Sequence, residues 1–188
     1  MTGASFCIHV VGTSGSGKTT YAKRVADQLG VPHIELDSIY WGPNWTPTET
    51  DEFRAQVREK LEQHAWVIEG NYRAVQDVIW ECAEEIVWLD LPAPIVWWRV
   101  ITRTVKRRLS GQTLWNNNRE TWRSALFSWD SVIIWSIRTH HGRKRAYSKL
   151  LTNPPRDGIQ VTRLSGRRAV KQDVTARTLD GHGSQDGA

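Results

Sequence analysis

Cysteine is scarce in this chain: Cys7 and Cys82 are the only two in 188 residues. Two thiols make neither the disulfide framework of a small secreted domain nor a four-ligand zinc site, so both are expected to be buried, structural side chains. Histidine is no better arranged for a metal, since the six are scattered and only His140 and His141 are adjacent. Long apolar runs are missing as well. No stretch approaches the roughly 18 residues of a membrane helix, and Met1 to Phe6 carries no basic segment leading into an apolar one. These absences point to a cytoplasmic chain with neither a membrane span nor a dedicated metal cluster, and no internal repeat suggests a modular array.

What remains is enough for one domain. Hydrophobic residues make up 39% and charged residues 24%, a composition that folds. The net charge of +5 is unevenly spread. Between Leu91 and Leu150, 12 lysines and arginines face only Glu120 and Asp130, whereas the rest of the chain carries an excess of five acids. Such a block attracts nucleotide phosphates, nucleic acid or an anionic membrane, and charge alone does not choose among them.

Short apolar runs alternate with helical periodicities. Phe6 to Val11 is β-branched, apolar and closed by a glycine, which reads as a buried strand. Lys18 to Leu29 repeats Tyr21, Val25 and Leu29 at helical spacing and stops at Gly30. His33 to Leu36, Trp66 to Glu69, Glu85 to Leu89 and Ile159 to Leu164 supply four further strand candidates. Between them, Thr46 with Pro47 and Glu49 reads as a capping box opening a helix to about His64, and a short helix is expected around Ala74 to Trp80. After Pro92 and Pro94 a long helix carries Trp98, Ile101, Val105 and Leu109 on one face and Arg99, Arg103 and Lys106 or Arg107 on the other. A second helix runs from about Asn118, with a break at Gly142 open, to just before Asn153, and Ser165 is placed to cap a last short one. Asp180 to Ala188 reads as a disordered tail. The alternation predicts an α/β domain over residues 1–179 around a mostly parallel sheet, with the basic helical pair at about 95–150 elaborating one crossover.

The strongest chemical signal is Gly12-Thr13-Ser14-Gly15-Ser16-Gly17-Lys18-Thr19, followed by Thr20, a full G-x-x-x-x-G-K-[ST] between a strand and a helix. Glycines there let successive backbone N–H groups converge on phosphate oxygens, and the helix N-terminus adds the positive end of its dipole. Lys18 is then expected on the β- and γ-phosphates of ATP and Thr19 on Mg²⁺. Asp37 falls where strand two ends, on the same sheet edge, where a carboxylate can orient or deprotonate an acceptor hydroxyl, or simply cap a turn. Tyr40 and Trp41 follow it, and Trp41 and Trp45 flank a loop able to stack on a planar substrate. Glu69 and Asp90 both end apolar strands. Trp115, Trp122, Trp129 and Trp135, interleaved with arginine, read as core, with a nucleic-acid stacking platform as the competing reading.

The P-loop, Ile34-Glu-Leu-Asp37-Ser-Ile-Tyr40-Trp41, Val67-Ile-Glu69-Gly70-Asn71-Tyr72-Arg73 and Ile86-Val-Trp-Leu-Asp90-Leu-Pro92 occur in an order that resembles the adenylate kinase-like P-loop kinases, closest to the bacterial branch named for DNA topology modulation. The resemblance covers residues 6 to about 170. It implies a three-layer P-loop NTPase fold, a five-stranded parallel sheet with helices on both faces and a helical, basic lid inserted after strand four. It further implies that Glu69, with Asp90 as the alternative acid, sits near Mg²⁺, acting through water, and that Arg73 meets phosphate. Arg73, Arg99 and Arg103 are thus the candidate catalytic arginines, and Gly70, Asn71, Tyr72 and Arg73 are expected to address the acceptor with Asp37. Arg99 and Arg103 fall where the lid helix of that group begins with two arginines over the nucleotide. True adenylate kinases have a Thr-Gly-Asp-rich acceptor segment followed by an arginine, and this chain does not.

The expectation is therefore an ATP- and Mg²⁺-dependent kinase, monomeric or homodimeric, acting on a small acceptor such as a hydroxyl-bearing metabolite, nucleoside or nucleotide. The competing reading is a nucleic-acid-binding regulatory NTPase, and a third is a vestigial P-loop. Salt dependence separates the first two. A kinase lid is expected to show little retention of random-sequence DNA, whereas a binder using six or more phosphate contacts loses about 10³-fold or more in affinity between about 50 and 200 mM salt in the same titration.

Overall fold

A computed structural model of the chain describes residues 6–110, Asn116 and residues 132–182. Five strands, β1 (Cys7–Gly12), β2 (His33–Glu35), β3 (Trp66–Glu69), β4 (Glu85–Asp90) and β5 (Gln160–Ser165), form one sheet in the order β2-β3-β1-β4-β5. Every pairing is parallel, with Val10 beside Glu69 and Val87. The described helices are α1 (Lys18–Leu29), α2 (Leu36–Tyr40), α3 (Thr50–Leu61), α4 (Gln76–Cys82), α5 (Ala93–Ser110), α6 (Val132–Thr152) and α7 (Arg167–His182). Buried parallel strands read as continuous apolar runs because both faces are covered, and Cys7 to Gly12 is buried throughout.

Successive strand residues serve opposite layers. Ile8, Val10, Val67, Val87 and Leu89 pack with Tyr21, Ala22 and Val25 of α1 and with Leu164, while Val170 and Val174 of α7 close the same side. Cys7, Val11, Ile34, Ile68, Ile86 and Trp88 pack with Phe53 and Val57 of α3, Val78 and Ile79 of α4, and Tyr147 of α6. The result is the three-layer α/β architecture expected from the alternation of elements.

Several local expectations are corrected. Helix α3 is capped by Glu49, whose carboxylate accepts from the backbone N–H of Asp51 at 2.8 Å and Glu52 at 3.4 Å. Thr46 instead donates to the Pro43 carbonyl, and Pro47 bridges to Trp41, so the proposed capping residues close the preceding loop. Gly166, at φ 96°, precedes α7 where Ser165 was expected to cap it; Ser165 remains the last residue of β5. Helix α6 runs unbroken through Gly142. Cys7 is buried but Cys82 is exposed at the end of α4. Helix α7 extends to His182, past the start of the expected tail; residues 183–188 lie outside the described residues.

The inward face of α5 also differs from the most apolar one. Val96, Val100 and Thr104 are buried, whereas Trp98 is 66% exposed and Ile101 and Val105 are each 40% exposed. The reason is spatial: α5 lies against the P-loop, where slim valines fit and a tryptophan does not. The start of the second helix near Asn118, the side chains of Arg107, Arg108, Arg119, Arg123 and Arg138, and those of Trp115, Trp122, Trp129 and Trp135 lie outside the described residues.

Phe53 links the fold to its upper edge. It is fully buried, and its ring meets Tyr40 at 5.2 Å and Tyr72 at 5.3 Å between centroids, both edge-on. Truncation leaves a cavity beneath both tyrosines. Phe53→Ala is expected to lower unfolding stability by about 3–5 kcal/mol in a urea titration, and a loss below about 1 kcal/mol would contradict this placement.

Candidate active site

The carboxyl ends of β1, β2 and β3 bring the sequence candidates to one edge of the sheet, where open α/β sheets bind ligands. The P-loop leaves β1 at Gly12 and re-enters helix at Lys18. Two of its glycines are demanded by geometry. Gly15 has φ 83°, and a Cβ there would lie 2.6 Å from a Val100 methyl and 2.7 Å from the Val96 carbonyl oxygen; Gly17 has φ 94° with the Arg99 guanidinium close by. The loop closes on itself through Ser16 N–H to the Thr13 carbonyl, 3.1 Å. Ser16 Oγ is buried without a hydrogen-bond partner, a polar atom left for something the loop encloses.

Lys18 is half-buried and its ammonium lies 3.4 Å from the Thr13 carbonyl. Enclosure lowers its pKa, against the opposing pull of Glu69 and Asp37. Thr19 donates its hydroxyl to Glu69 Oε1 at 2.6 Å, and Thr20 beside it is exposed. Glu69 is only 4% exposed, and burial raises its pKa although Lys18 and the Thr19 hydroxyl both favour the carboxylate. Of the two alternative acids, Glu69 is the one joined to the P-loop. Asp90 is committed elsewhere, paired with Arg163 of β5 and with Lys144 of α6 at 3.3 Å.

Asp37 lies in the first turn of α2, two residues beyond the strand that was expected to end at it. Its Oδ1 accepts the Tyr72 hydroxyl at 2.5 Å, and burial followed by this carboxylate raises the Tyr72 pKa. Tyr40 packs on Tyr72 at 4.5 Å and on Trp41 at 4.8 Å, and Trp41 meets Trp45 edge-on at 5.7 Å. Asn116, beyond α5, donates its amide to the Trp41 carbonyl at 2.5 Å. Arg73 is exposed at the start of a short turn and its charge reaches the Tyr147 phenol. The two α5 arginines converge on the P-loop: Arg99 donates to the Ser16 carbonyl at 3.2 Å and Arg103 to Ser14 Oγ at 3.4 Å.

One arginine of the basic block, to which the sequence assigned no particular role, finds a place here, and two further groups escaped the sequence reading. Arg143 of α6 is half-buried, which lowers its pKa, and it faces Tyr147, Tyr72 and Asp37. Tyr147 donates to Asn71 Oδ1 at 2.8 Å. His9, in the middle of β1, accepts the Trp80 indole N–H on Nδ1 at 3.0 Å, so its proton sits on Nε2 and is donated to the Gly70 carbonyl at 3.1 Å. Nothing in a one-dimensional pattern marks His9 or Tyr147, since their hydrogen bonds cross gaps of more than 60 positions.

No family model matches the chain. Its fold matches that of shikimate kinase from Bacteroides thetaiotaomicron, with a TM-score of 0.55, 18% identity, and coverage of 90% of this chain and 94% of that one. The likeness is one of fold, a three-layer α/β domain around a five-stranded parallel sheet. A 62-residue stretch is 34% identical to cytidylate kinase of Nitratidesulfovibrio vulgaris, covering 32% of this chain and 27% of that protein. A 53-residue stretch is 36% identical to adenylate kinase of Thermotoga neapolitana, covering 28% and 23% respectively. The chain thus spans about a quarter of the length of these curated relatives. None of these proteins carries the name of the DNA topology modulation branch. No helix among the described residues is long and apolar enough to cross a membrane.

His9 carries a pH signature. Burial lowers its pKa from 6.5 to about 4, with Lys18 adding to the depression and the Gly70 hydrogen bond opposing it. Between those values the unfolded chain binds a proton that the folded chain refuses. Stability from this group is therefore complete above about pH 6.5 and falls as pH drops toward 4, by roughly 3 kcal/mol. His9→Gln, which keeps a donor and an acceptor but does not titrate here, is expected to flatten that slope by one proton in denaturant titrations from pH 4 to 7. An unchanged slope rules His9 out as its source.

Proposed function

We propose that this chain is an ATP-dependent kinase that transfers the γ-phosphoryl group to a hydroxyl of a small acceptor. The observation that carries the reading is the convergence on one sheet edge of the glycine-cornered P-loop, the Thr19–Glu69 pair and the Asp37–Tyr72 pair, with Arg99 and Arg103 reaching the loop from α5. Phosphoryl transfer asks little covalent chemistry of a protein. It asks for in-line positioning and for cations where charge spreads over the transferred oxygens.

The backbone N–H groups of the loop and the N-terminus of α1 bind the triphosphate, with Gly12 to Thr20 as its cradle. Lys18 follows the γ-phosphoryl, and Arg99 and Arg103 release their contacts with Ser16 and Ser14 for phosphate oxygens. Thr19 and Glu69 offer a hydroxyl and a carboxylate, hard oxygen donors that suit Mg²⁺, with Glu69 acting through water. When bound, Mg²⁺ neutralises part of the phosphate charge. Asp37 accepts or orients the acceptor hydroxyl while Tyr72 holds its other oxygen in place. Tyr40, Trp41, Gly70, Asn71 and Arg73 line the approach. Residues 95–150 act as the lid of a single domain, and the Asn116–Trp41 contact ties that segment to the acceptor loop.

Three cations of the basic block support the kinase reading: Arg99 and Arg103 reach the P-loop and Lys144 pairs with Asp90, while Lys106, Arg145 and Lys149 are exposed.

The test combines ATP and Mg²⁺ with a panel of nucleosides, nucleoside monophosphates, sugars, hydroxy acids and oligonucleotides, read by mass spectrometry. A phosphorylated product is expected, with Lys18→Ala lowering its rate by about 10²-fold or more. Asp37→Asn is expected to lower turnover by about 10²- to 10⁴-fold with ATP affinity nearly unchanged. Wild-type turnover by Asp37→Asn removes that residue from the chemistry. Slow hydrolysis stimulated only by DNA or RNA, with no product, replaces the kinase reading with the nucleic-acid one.

A further inference from the structure

Asn71 stands where three elements meet. It follows Gly70 at the end of β3 and precedes Tyr72, the partner of Asp37. Its side-chain amide grips the Gly12 backbone at two points, Nδ2 donating to the carbonyl at 2.5 Å and Oδ1 accepting from the N–H at 3.3 Å. The same Oδ1 accepts the Tyr147 hydroxyl from α6 at 2.8 Å, so both of its lone pairs are engaged. Tyr147 is buried, with its ring 6.1 Å from that of Trp88, and packing therefore fixes where its hydroxyl points. Lys144 holds α6 to the end of β4 through Asp90 at 3.3 Å.

Gly12 ends β1 beside Leu89 of β4 and has no room for a side chain of its own. A Cβ there would meet Ser16 Oγ at 2.7 Å and the Leu89 carbonyl at 2.9 Å, so the junction of β1 and the P-loop has to stay bare. Asn71 supplies from outside the restraint that a side chain at Gly12 cannot. A movement of Gly12 as phosphate fills the loop displaces an amide that Tyr147 is bound to and whose neighbour positions Asp37. One turn before Tyr147, Arg143 faces Asp37 and Tyr72, so α6 also bears on the acceptor pair.

We propose that Asn71 is a positioning residue that couples nucleotide occupancy of the P-loop to helix α6 and the acceptor side, through Gly12 on one flank and Tyr147 on the other. The inference rests on the nucleotide-binding reading given above. Coupling of this kind requires a group whose contacts differ between the empty and filled loop, and a shared amide between two moving parts is such a group.

Backbone hydrogen exchange of the whole chain, with and without the non-hydrolysable ATP analogue AMPPNP and Mg²⁺, tests it. In the wild type, nucleotide is expected to slow exchange both at the P-loop and across residues 142–152 of α6. Tyr147→Phe removes one hydroxyl; it is expected to bind the analogue within about threefold of wild type and keep P-loop protection, yet lose the α6 response. Asn71→Ala is expected to lose the α6 response and to weaken nucleotide binding by about fivefold or more, because Gly12 is released. Should Asn71→Ala fail to fold, Tyr147→Phe decides the question. An α6 response in Tyr147→Phe equal to wild type overturns the coupling. P-loop protection with no α6 change in the wild type also overturns it and leaves nucleotide binding standing, whereas no protection at the P-loop overturns both.

Discussion

Every group in the site is placed relative to one bare stretch of backbone, Gly12 to Gly17, which must approach a ligand closely and yet be walled in by protein. Backbone N–H groups bind phosphate only where no side chain stands between, so the loop is built from glycine and small hydroxyl residues. The same constraint chooses its neighbours. Val96 and Val100 come within contact of the Gly15 position, Arg99 covers Gly17, and Asn71 holds Gly12. The buried face of α5 is consequently its slim one, and Trp98 is turned away.

Around that loop, three carboxylates at or just beyond the carboxyl ends of β2, β3 and β4 are separated by the company each keeps. Glu69 is buried beside the Thr19 hydroxyl and Lys18, an arrangement suited to a cation and phosphate. Asp37 is held by a phenol, which fixes its orientation without cancelling its charge. Asp90 is neutralised by Arg163 and Lys144 and serves to join β4, β5 and α6. Chemically identical groups acquire different duties because desolvation and pairing differ over short distances.

Much of the fold is legible in the residues. The glycine motif between an apolar β-branched run and a helical periodicity identifies the loop and its flanks, and the alternation of strand and helix signals implies the parallel sheet. Local capping is less legible: Thr46 and Glu49 both have cap chemistry, and the choice of Glu49 depends on Thr46 being used by the loop before α3. For α5, periodicity marked Trp98, Ile101 and Val105 as one apolar face, but the P-loop selected a different set of residues, Val96, Val100 and Thr104, for burial. Hydrophobicity ranks faces by transfer free energy, whereas packing ranks them by shape.

The sequence by itself determined the glycine-rich loop, the alternation of strand and helix, and the candidacy of Lys18, Thr19 and Asp37, because each of these depends on neighbours within a few residues along the chain; Glu69, Arg99 and Arg103 became candidates through the order of motifs. Tertiary structure alone decided that Glu69 rather than Asp90 joins the loop, that Tyr72 holds Asp37, and that Asn71 links Gly12 to Tyr147. Those choices are made by parallel strand register and helix docking, which bring together residues 35 to 76 positions apart. A hydrogen bond needs its partners within about 3.5 Å. No spacing rule within a single segment can report that condition across so long a stretch of chain.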